Sequence, residues 1–305
     1  IYKYFFMSKN LIIKDLKKVN IFNKSHLDLI QTKTRNGKVD VFFDKKNKFF
    51  FLGKILTSHK SYYEKKYYKN PYNKKKWNIN FYNENITVSK VDNDKKKVKD
   101  YKKFIYKKNV LDFGCGFGNF AKETSKISKN TYVYEKSKMC KKFIKEKIKS
   151  ITLLENLQNY DNFFESIFLI QTLHYLPDQI DKLSNFKNKL KKKGKIILEI
   201  PSANDILLSK FKLKEFKDFT FCIENLIWHN KFTISKFLKK AGFKNIKVYS
   251  KQRHNLNNHL GWLMYGKPGG HDYLKSFCNK KQIITYEKFL KKNDYSDTLV
   301  AIAEK

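Results

Sequence analysis

Val110-Leu111-Asp112-Phe113-Gly114-Cys115-Gly116-Phe117-Gly118-Asn119-Phe120 is a short apolar run, an acid, and then glycine at every second position. A buried parallel strand that enters a tight turn and then a helix reads this way, because glycine admits left-handed backbone angles and close approach by a ligand. Beyond the turn a helical segment runs through Phe120 and Ala121 toward Ile127. A second strand, Thr131-Tyr132-Val133-Tyr134, then ends on Glu135. An acid roughly 20 residues beyond such a turn, at the tip of the second strand, is placed to accept from a ribose hydroxyl pair.

The glycine spacing narrows the ligand. A dinucleotide turn expects G-x-G-x-x-G, whereas Gly114, Gly116 and Gly118 follow G-x-G-x-G, with Asp112 inside the strand. A buried carboxylate there repels a pyrophosphate and suits a ligand with a cationic or amino-acid end. The implied ligand has a ribose and places no phosphate on the turn, so a dinucleotide oxidoreductase ranks last among the readings.

Val110 to Gly118, taken with Glu135, resembles the first two motifs of class I S-adenosylmethionine-dependent methyltransferases. Later segments follow the same pattern. Glu165 to Ile170 reads as a buried strand, followed by Gln171-Thr172-Leu173-His174-Tyr175-Leu176-Pro177-Asp178 and by a helix with apolar residues at Ile180, Leu183, Phe186 and Leu190. Lys191-Lys192-Lys193-Gly194 reads as a cationic helix end with Gly194 at C′, and Lys195 to Pro201 as the next strand. This succession resembles the fourth and fifth strands of that fold. Phe232 to Phe243 reads as a helix capped by Thr233 or Ser235 and ended by Gly242, with strands at Asn245 to Tyr249 and Thr298 to Ala303. The expected fold class is therefore α/β: a doubly wound, seven-stranded, Rossmann-like sheet with its last strand antiparallel.

The expected domain organisation is an N-terminal extension over residues 1–100 and a methyltransferase domain over 101–305. Residues 252–296 form a lid-like insertion before the last strand. In that insertion Gln252-Arg253-His254-Asn255-Leu256-Asn257-Asn258-His259, Trp262-Leu263, Gly266-Lys267-Pro268-Gly269-Gly270-His271 and, later, Asp297-Thr298-Leu299 resemble the subgroup that modifies sugars and bacterial surface polysaccharides. The family resemblance covers roughly residues 105–305.

The resemblance implies S-adenosylmethionine as cofactor and a small-molecule acceptor, a sugar or nucleotide-linked sugar methylated on oxygen or carbon. The cofactor residues it implies are Asp112, Gly114, Cys115, Gly116, Gly118 and Glu135, with adenine near Glu155 and Gln171 at the cofactor–acceptor cleft. Arg253, Asn258 and Trp262 are the implied acceptor residues. Removing a proton from an acceptor near neutral pH suits histidine, and His174, His229, His259 and His271 are the candidates. Two departures bear on them: His174-Tyr175 stands where the subgroup often has Glu-His, and Glu224-Asn225-Leu226 where it often has Glu-His-Leu. An RNA methyltransferase and a non-catalytic binding protein that retains the fold are the alternatives.

The formal net charge is +38, a value that by itself points toward nucleic acid or an anionic surface. All but two of the 66 basic residues are lysine, the exceptions being Arg35 and Arg253, and they accompany abundant Asn, Ile, Phe and Tyr. An AT-rich genome favours those residues, and the lysines are spread along the whole chain, which argues against a nucleic-acid partner. Cys115, Cys140, Cys222 and Cys278 lie far apart with no CxxC pair, so neither a zinc site nor a disulfide framework is expected, and reduced thiols in the cytoplasm are. No apolar run approaches the ~20 residues of a membrane span. Ile1 to Phe6 reads as translated sequence ahead of an initiator at Met7.

Toward the N-terminus, Lys38 to Phe43 and Lys48 to Leu52 read as two strands joined by Asp44-Lys45-Lys46-Asn47. Residues 61–82 are dense in aromatics, among them Tyr62, Tyr63, Tyr67, Tyr68, Tyr72, Trp77, Phe81 and Tyr82. They read as an amphipathic helix that packs its rings on the main domain while its lysines snorkel to water. Residues 90–108 read as a helical lead-in with a solvated lysine face. Oligomeric state is not encoded in any of these signals.

Overall fold

Phe49-Phe50-Phe51-Leu52 can exist in water only if both faces are covered, and in the computed structural model all four residues are buried. The structure describes residues 10–57, 61–67, 79–82, 85–88 and 94–305. Tyr68, Tyr72, Trp77 and the start of the chain through Met7 lie outside the described residues.

The first strands are β1 (Leu27–Gln31), β2 (Val41–Asp44), β3 (Phe49–Leu52), β4 (Ile79–Tyr82) and β5 (Asn85–Val88). After them come β6 (Asn109–Phe113), β7 (Asn130–Tyr134), β8 (Thr152–Leu154), β9 (Phe164–Ile170), β10 (Leu190–Pro201), β11 (Ile227–Trp228), β12 (Lys244–Lys251) and β13 (Thr298–Glu304). Seven of them form one sheet in the order β12-β13-β10-β9-β6-β7-β8, with the last strand of the chain antiparallel. Strand β6 pairs in parallel with both β7 and β9, so the glycine turn leaves from the middle of the sheet.

A second sheet has the order β1-β2-β3-β11. The expected hairpin is there: Val41 pairs with Leu52 and Asp44 with Phe49. Asp44 closes the turn by accepting from the Asn47 amide at 2.7 Å. On its other edge β3 takes a strand from far along the chain, Ile227 opposite Phe51 and Trp228 opposite Phe50.

By its backbone contacts the chain divides into two compact units: residues 1–56, 173–183 and 198–302 in one, and 57–172, 184–197 and 303–305 in the other.

Four local readings change. Residues 61–82 are not one helix: Tyr62–Lys66 is a single π-helical turn, and Ile79–Tyr82 is a strand paired with Asn85–Val88. Gly194 is not the C′ residue after the helix Gln179–Lys189. Lys193 takes the left-handed angle (φ 63°), while a Cβ on Gly194 would meet the Lys191 carbonyl at 2.8 Å, so that glycine serves close approach. The helix Lys231–Lys240 is capped by Asn230, whose side chain accepts from the Thr233 amide as the Thr233 hydroxyl accepts from the Asn230 amide. Gly242 (φ 85°) ends it as expected. Finally, Lys97 in the helix Asp94–Asp100 is not part of a solvated face; its ammonium meets the buried Asp94 carboxylate at 3.0 Å.

His229 is fully buried where β11 ends. Its Nε2 lies 2.9 Å from Gln179 Oε1 and its Nδ1 3.1 Å from Thr233 Oγ1. Burial pushes its pKa down to about 3. Between that value and the ordinary 6.5 the unfolded chain binds a proton that the folded chain refuses, so folding stability falls as pH drops below about 6.5. In thermal melts at pH 7 and pH 5, the wild type should lose more melting temperature than His229→Phe. An equal loss would show that this ring does not set the acid limb.

Candidate functional site

The glycine turn is built from three left-handed residues in alternation: Gly114 (φ 75°), Gly116 (φ 58°) and Gly118 (φ 75°). L-residues other than glycine resist that region. Gly114 has a further constraint, since a Cβ there would meet Thr172 Cγ2 at 2.4 Å. The turn is pinned to the second strand at Tyr134, whose carbonyl accepts from the Gly114 amide at 2.8 Å.

Glu135 does more than cap that strand. Its Oε2 accepts from the Gly116 amide at 2.9 Å, and its Oε1 from the amides of Lys136 and Ser137 at 2.7 and 2.8 Å. One carboxylate thus ties the glycine turn to the start of the helix Lys138–Lys147. Burial raises its pKa even though these three amides oppose the rise. Asp112 is buried at the end of β6, and its carboxyl is pushed up to about 8, chiefly by burial, with the charges of Asp94 and Glu135 adding and Lys97 opposing. Burial, with the negative charges of Asp112 and Glu135, also drives the Cys115 thiol well above its ordinary range. A thiol held protonated in this way is a packing group and not a nucleophile.

The donor set fits S-adenosylmethionine. Two buried acids, Asp112 and Glu135, lie at the turn, a pairing that suits a ligand with an ammonium group and a ribose diol, while Gly114 is backed by Thr172 and Gly118 by Ile144, Ile148 and Ile151. The side-chain nitrogen of Gln171, a residue at φ 54° just past β9, is buried with no acceptor among the described residues, which leaves a donor for a ligand. Glu155 follows β8 and is exposed, paired with Lys141 at 2.6 Å and Lys145 at 3.4 Å. The hydrogen bond from Lys141 holds its pKa below the usual range.

Sequence reasoning missed two neighbours of this turn and anticipated the packing of a third. Thr172 backs Gly114 and the Asp94–Lys97 pair adds its charges to the effect of burial at Asp112, whereas Tyr62, Tyr63 and Tyr67 pack with Met139 and Phe143 around Phe117 and Cys140, as the ring-packing reading expects.

The candidate acceptor residues belong to the other unit. His259 is buried in the helix Leu256–Tyr265, with Nδ1 2.9 Å from the Tyr286 hydroxyl and Nε2 3.3 Å from Gln252 Nε2. Burial lowers its pKa to about 4, despite the opposing charge of Asp297. Rings as hard to protonate as His229 and His259 are weak bases at neutral pH. His174 is buried against Tyr175, with ring centroids 4.2 Å apart. His271 is half-exposed, 3.4 Å from Asp272.

Asn258 accepts from the Gly269 amide at 3.1 Å, so it holds the Gly269-Gly270 turn. Trp262 is buried with Ile206, Leu207 and Leu290. Arg253 is exposed, and its backbone amide donates to Asp297. Among the described residues no group of three or more His, Cys, Asp or Glu could hold a metal ion, and no helix is long and apolar enough to cross a membrane.

A family model described as a methyltransferase domain matches residues 91–248. A curated tRNA U34 carboxymethyltransferase from Nautilia profundicola is 26% identical over 157 residues, which is 48% of this chain and 50% of that protein. The chain thus spans about half the length of the curated relative it matches. Among solved structures, a SAM-dependent methyltransferase from Archaeoglobus fulgidus aligns with a TM-score of 0.48 at 17% identity, over 69% of this chain and 92% of the other. Phosphoethanolamine N-methyltransferase 2 of Haemonchus contortus, in complex with S-adenosyl-L-methionine, aligns with a TM-score of 0.45 at 17% identity, over 74% and 55%.

Proposed function

The chain belongs to the methyltransferase-domain family, as an S-adenosylmethionine-dependent enzyme, and from that premise we propose that its acceptor is a sugar or nucleotide-linked sugar, methylated on oxygen or carbon. The bound cofactor supplies a methyl group already activated on a sulfonium. The protein's part is to bind it, orient the acceptor in line and keep water out.

The observation that carries the cofactor assignment is the alternation of left-handed glycines beside two buried acids. Asp112 takes the ammonium end, Glu135 the ribose hydroxyls, and Gln171 donates to the ligand. The acceptor class is supported by the Gln252 to His271 pattern. Arg253 offers an exposed guanidinium to an acceptor phosphate or carboxylate. Of the four histidines, His271 has the accessible ring and is the candidate to remove a proton. A second reading, an RNA acceptor, is supported by the curated relative named for a tRNA nucleotide.

Calorimetry with S-adenosylmethionine and transfer of labelled methyl to a panel of nucleotide-linked sugars test the proposal. We expect micromolar-range cofactor binding and label in a sugar fraction. Label in RNA alone would replace the sugar reading with the second one. A folded chain that takes up no cofactor would remove the enzyme assignment altogether.

A further inference from the structure

A cleft of about 320 Å³ lies at the end of β6 away from the glycine turn, lined by Phe104, Glu165 and six lysines. The five residues of β6 place it roughly 16 Å along the strand from that turn. Its cations come from two places: Lys103 and Lys108 precede β6, and Lys191, Lys192, Lys193 and Lys195 lie at the start of β10.

Few acids balance them. Glu165 takes Lys191 at 2.5 Å, while its second oxygen accepts from the Asn109 amide, and Lys195 pairs with Glu304. Among the described residues no carboxylate pairs with Lys103, Lys108, Lys192 or Lys193. Lys108 donates to the Lys103 carbonyl at 2.6 Å, and burial lowers its pKa, with the opposing charge of Glu165 acting more strongly than the like charge of Lys195. A surface that concentrates one sign of charge in a concave site attracts an anion of matching spacing.

Close to the cleft residues in the chain is an exposed aromatic ring that is not itself part of the lining. Tyr106 lies between Lys103 and Lys108 in the chain and is 49% exposed, with the ammonium groups of Lys102 and Lys107 at 5.8 and 5.3 Å from its ring centroid. A basic groove combined with an exposed ring framed by cations suits binding of successive phosphates while a base stacks on the ring. A phosphorylated small molecule without a base has no use for the ring.

We propose that this cleft binds the backbone of single-stranded nucleic acid, with Tyr106 as the stacking platform for one base. The site goes beyond the acceptor reading above, and binding alone tests it, without methyl transfer. The competing explanation is diffuse attraction to a chain of net charge +38, so the experiment carries an internal control.

Fluorescence anisotropy with a labelled oligouridylate, titrated at several salt concentrations, is read for four proteins. The double variant Lys192→Glu/Lys193→Glu should lose at least tenfold in affinity, and its salt slope should flatten by about 1.4, or ~0.7 per single-strand phosphate contact. Tyr106→Ala should lose about tenfold with the slope unchanged, since stacking is not ionic. Lys239→Glu/Lys240→Glu, exposed on the helix Lys231–Lys240, should match the wild type. Melting temperatures check that each variant is folded. Equal losses in the two lysine variants would overturn the proposal in favour of diffuse charge. Unlabelled inorganic polyphosphate that competes as well as RNA, together with an unaffected Tyr106→Ala, would overturn the nucleic-acid assignment.

Discussion

Gly116→Val abolishes S-adenosylmethionine binding and leaves the chain folded. The residue sits at φ 58°, a region that costs an L-residue about 1–2 kcal/mol and a β-branched one more. The valine backbone relieves that strain by leaving the left-handed region, which carries its amide away from Glu135 Oε2, now 2.9 Å distant. The turn then loses both its shape and its tether, and the new side chain projects into backbone that the ligand must approach. Calorimetry should show at least a hundredfold weakening, with a melting temperature within a few degrees of wild type. Gly114 is the less informative position: its Cβ would strike Thr172 at 2.4 Å, so Gly114→Val would disturb folding as well as binding. A Gly116→Val protein that binds the cofactor normally would show that the turn does not lie against it.

Glu135→Ala should weaken the cofactor complex by about 1–3 kcal/mol, the scale of a hydrogen bond to a charged group, and should also destabilise the free protein. The second effect follows from the structure. Three backbone amides, those of Gly116, Lys136 and Ser137, lose their acceptor together, and a buried donor left unsatisfied costs roughly 1–3 kcal/mol. Melting curves of the cofactor-free variant separate the two losses, because the first appears only when ligand is present. Unchanged affinity would mean that the ribose is held elsewhere and that Glu135 serves the turn alone.

The strand, turn and strand of the cofactor site were legible because their signals are local. Apolar residues, alternating glycines and an acid at the tip of the second strand all fall between Val110 and Glu135, and β6, the turn and β7 stand where those residues put them. The histidines were not legible, for the opposite reason. What decides whether a ring can take a proton is burial and its partners, and His229 finds Gln179 50 residues away while His259 finds Tyr286 27 residues away. The same holds for Lys193 and Gly194. A Lys-Gly pair after a helix reads as a C′ glycine, and only the position of the Lys191 carbonyl shows that the glycine is needed for space. Asn230 was missed as a cap because Thr233 and Ser235 are equally good capping residues by type, and Thr233 turned out to be the reciprocal partner in the same box.

The pairing of β3 with β11 sets a timetable for synthesis. Phe51 leaves the ribosome 176 residues ahead of its partner Ile227, an interval of about 9–35 s at 5–20 residues per second. Throughout it, the edge of a Phe-Phe-Phe-Leu strand has no neighbour, and such an edge is a template for pairing with other chains. Lys45, Lys46, Lys48 and Lys54 flank the segment on both sides, where charge keeps nascent chains apart. Part of the lysine excess therefore protects the chain before the fold exists.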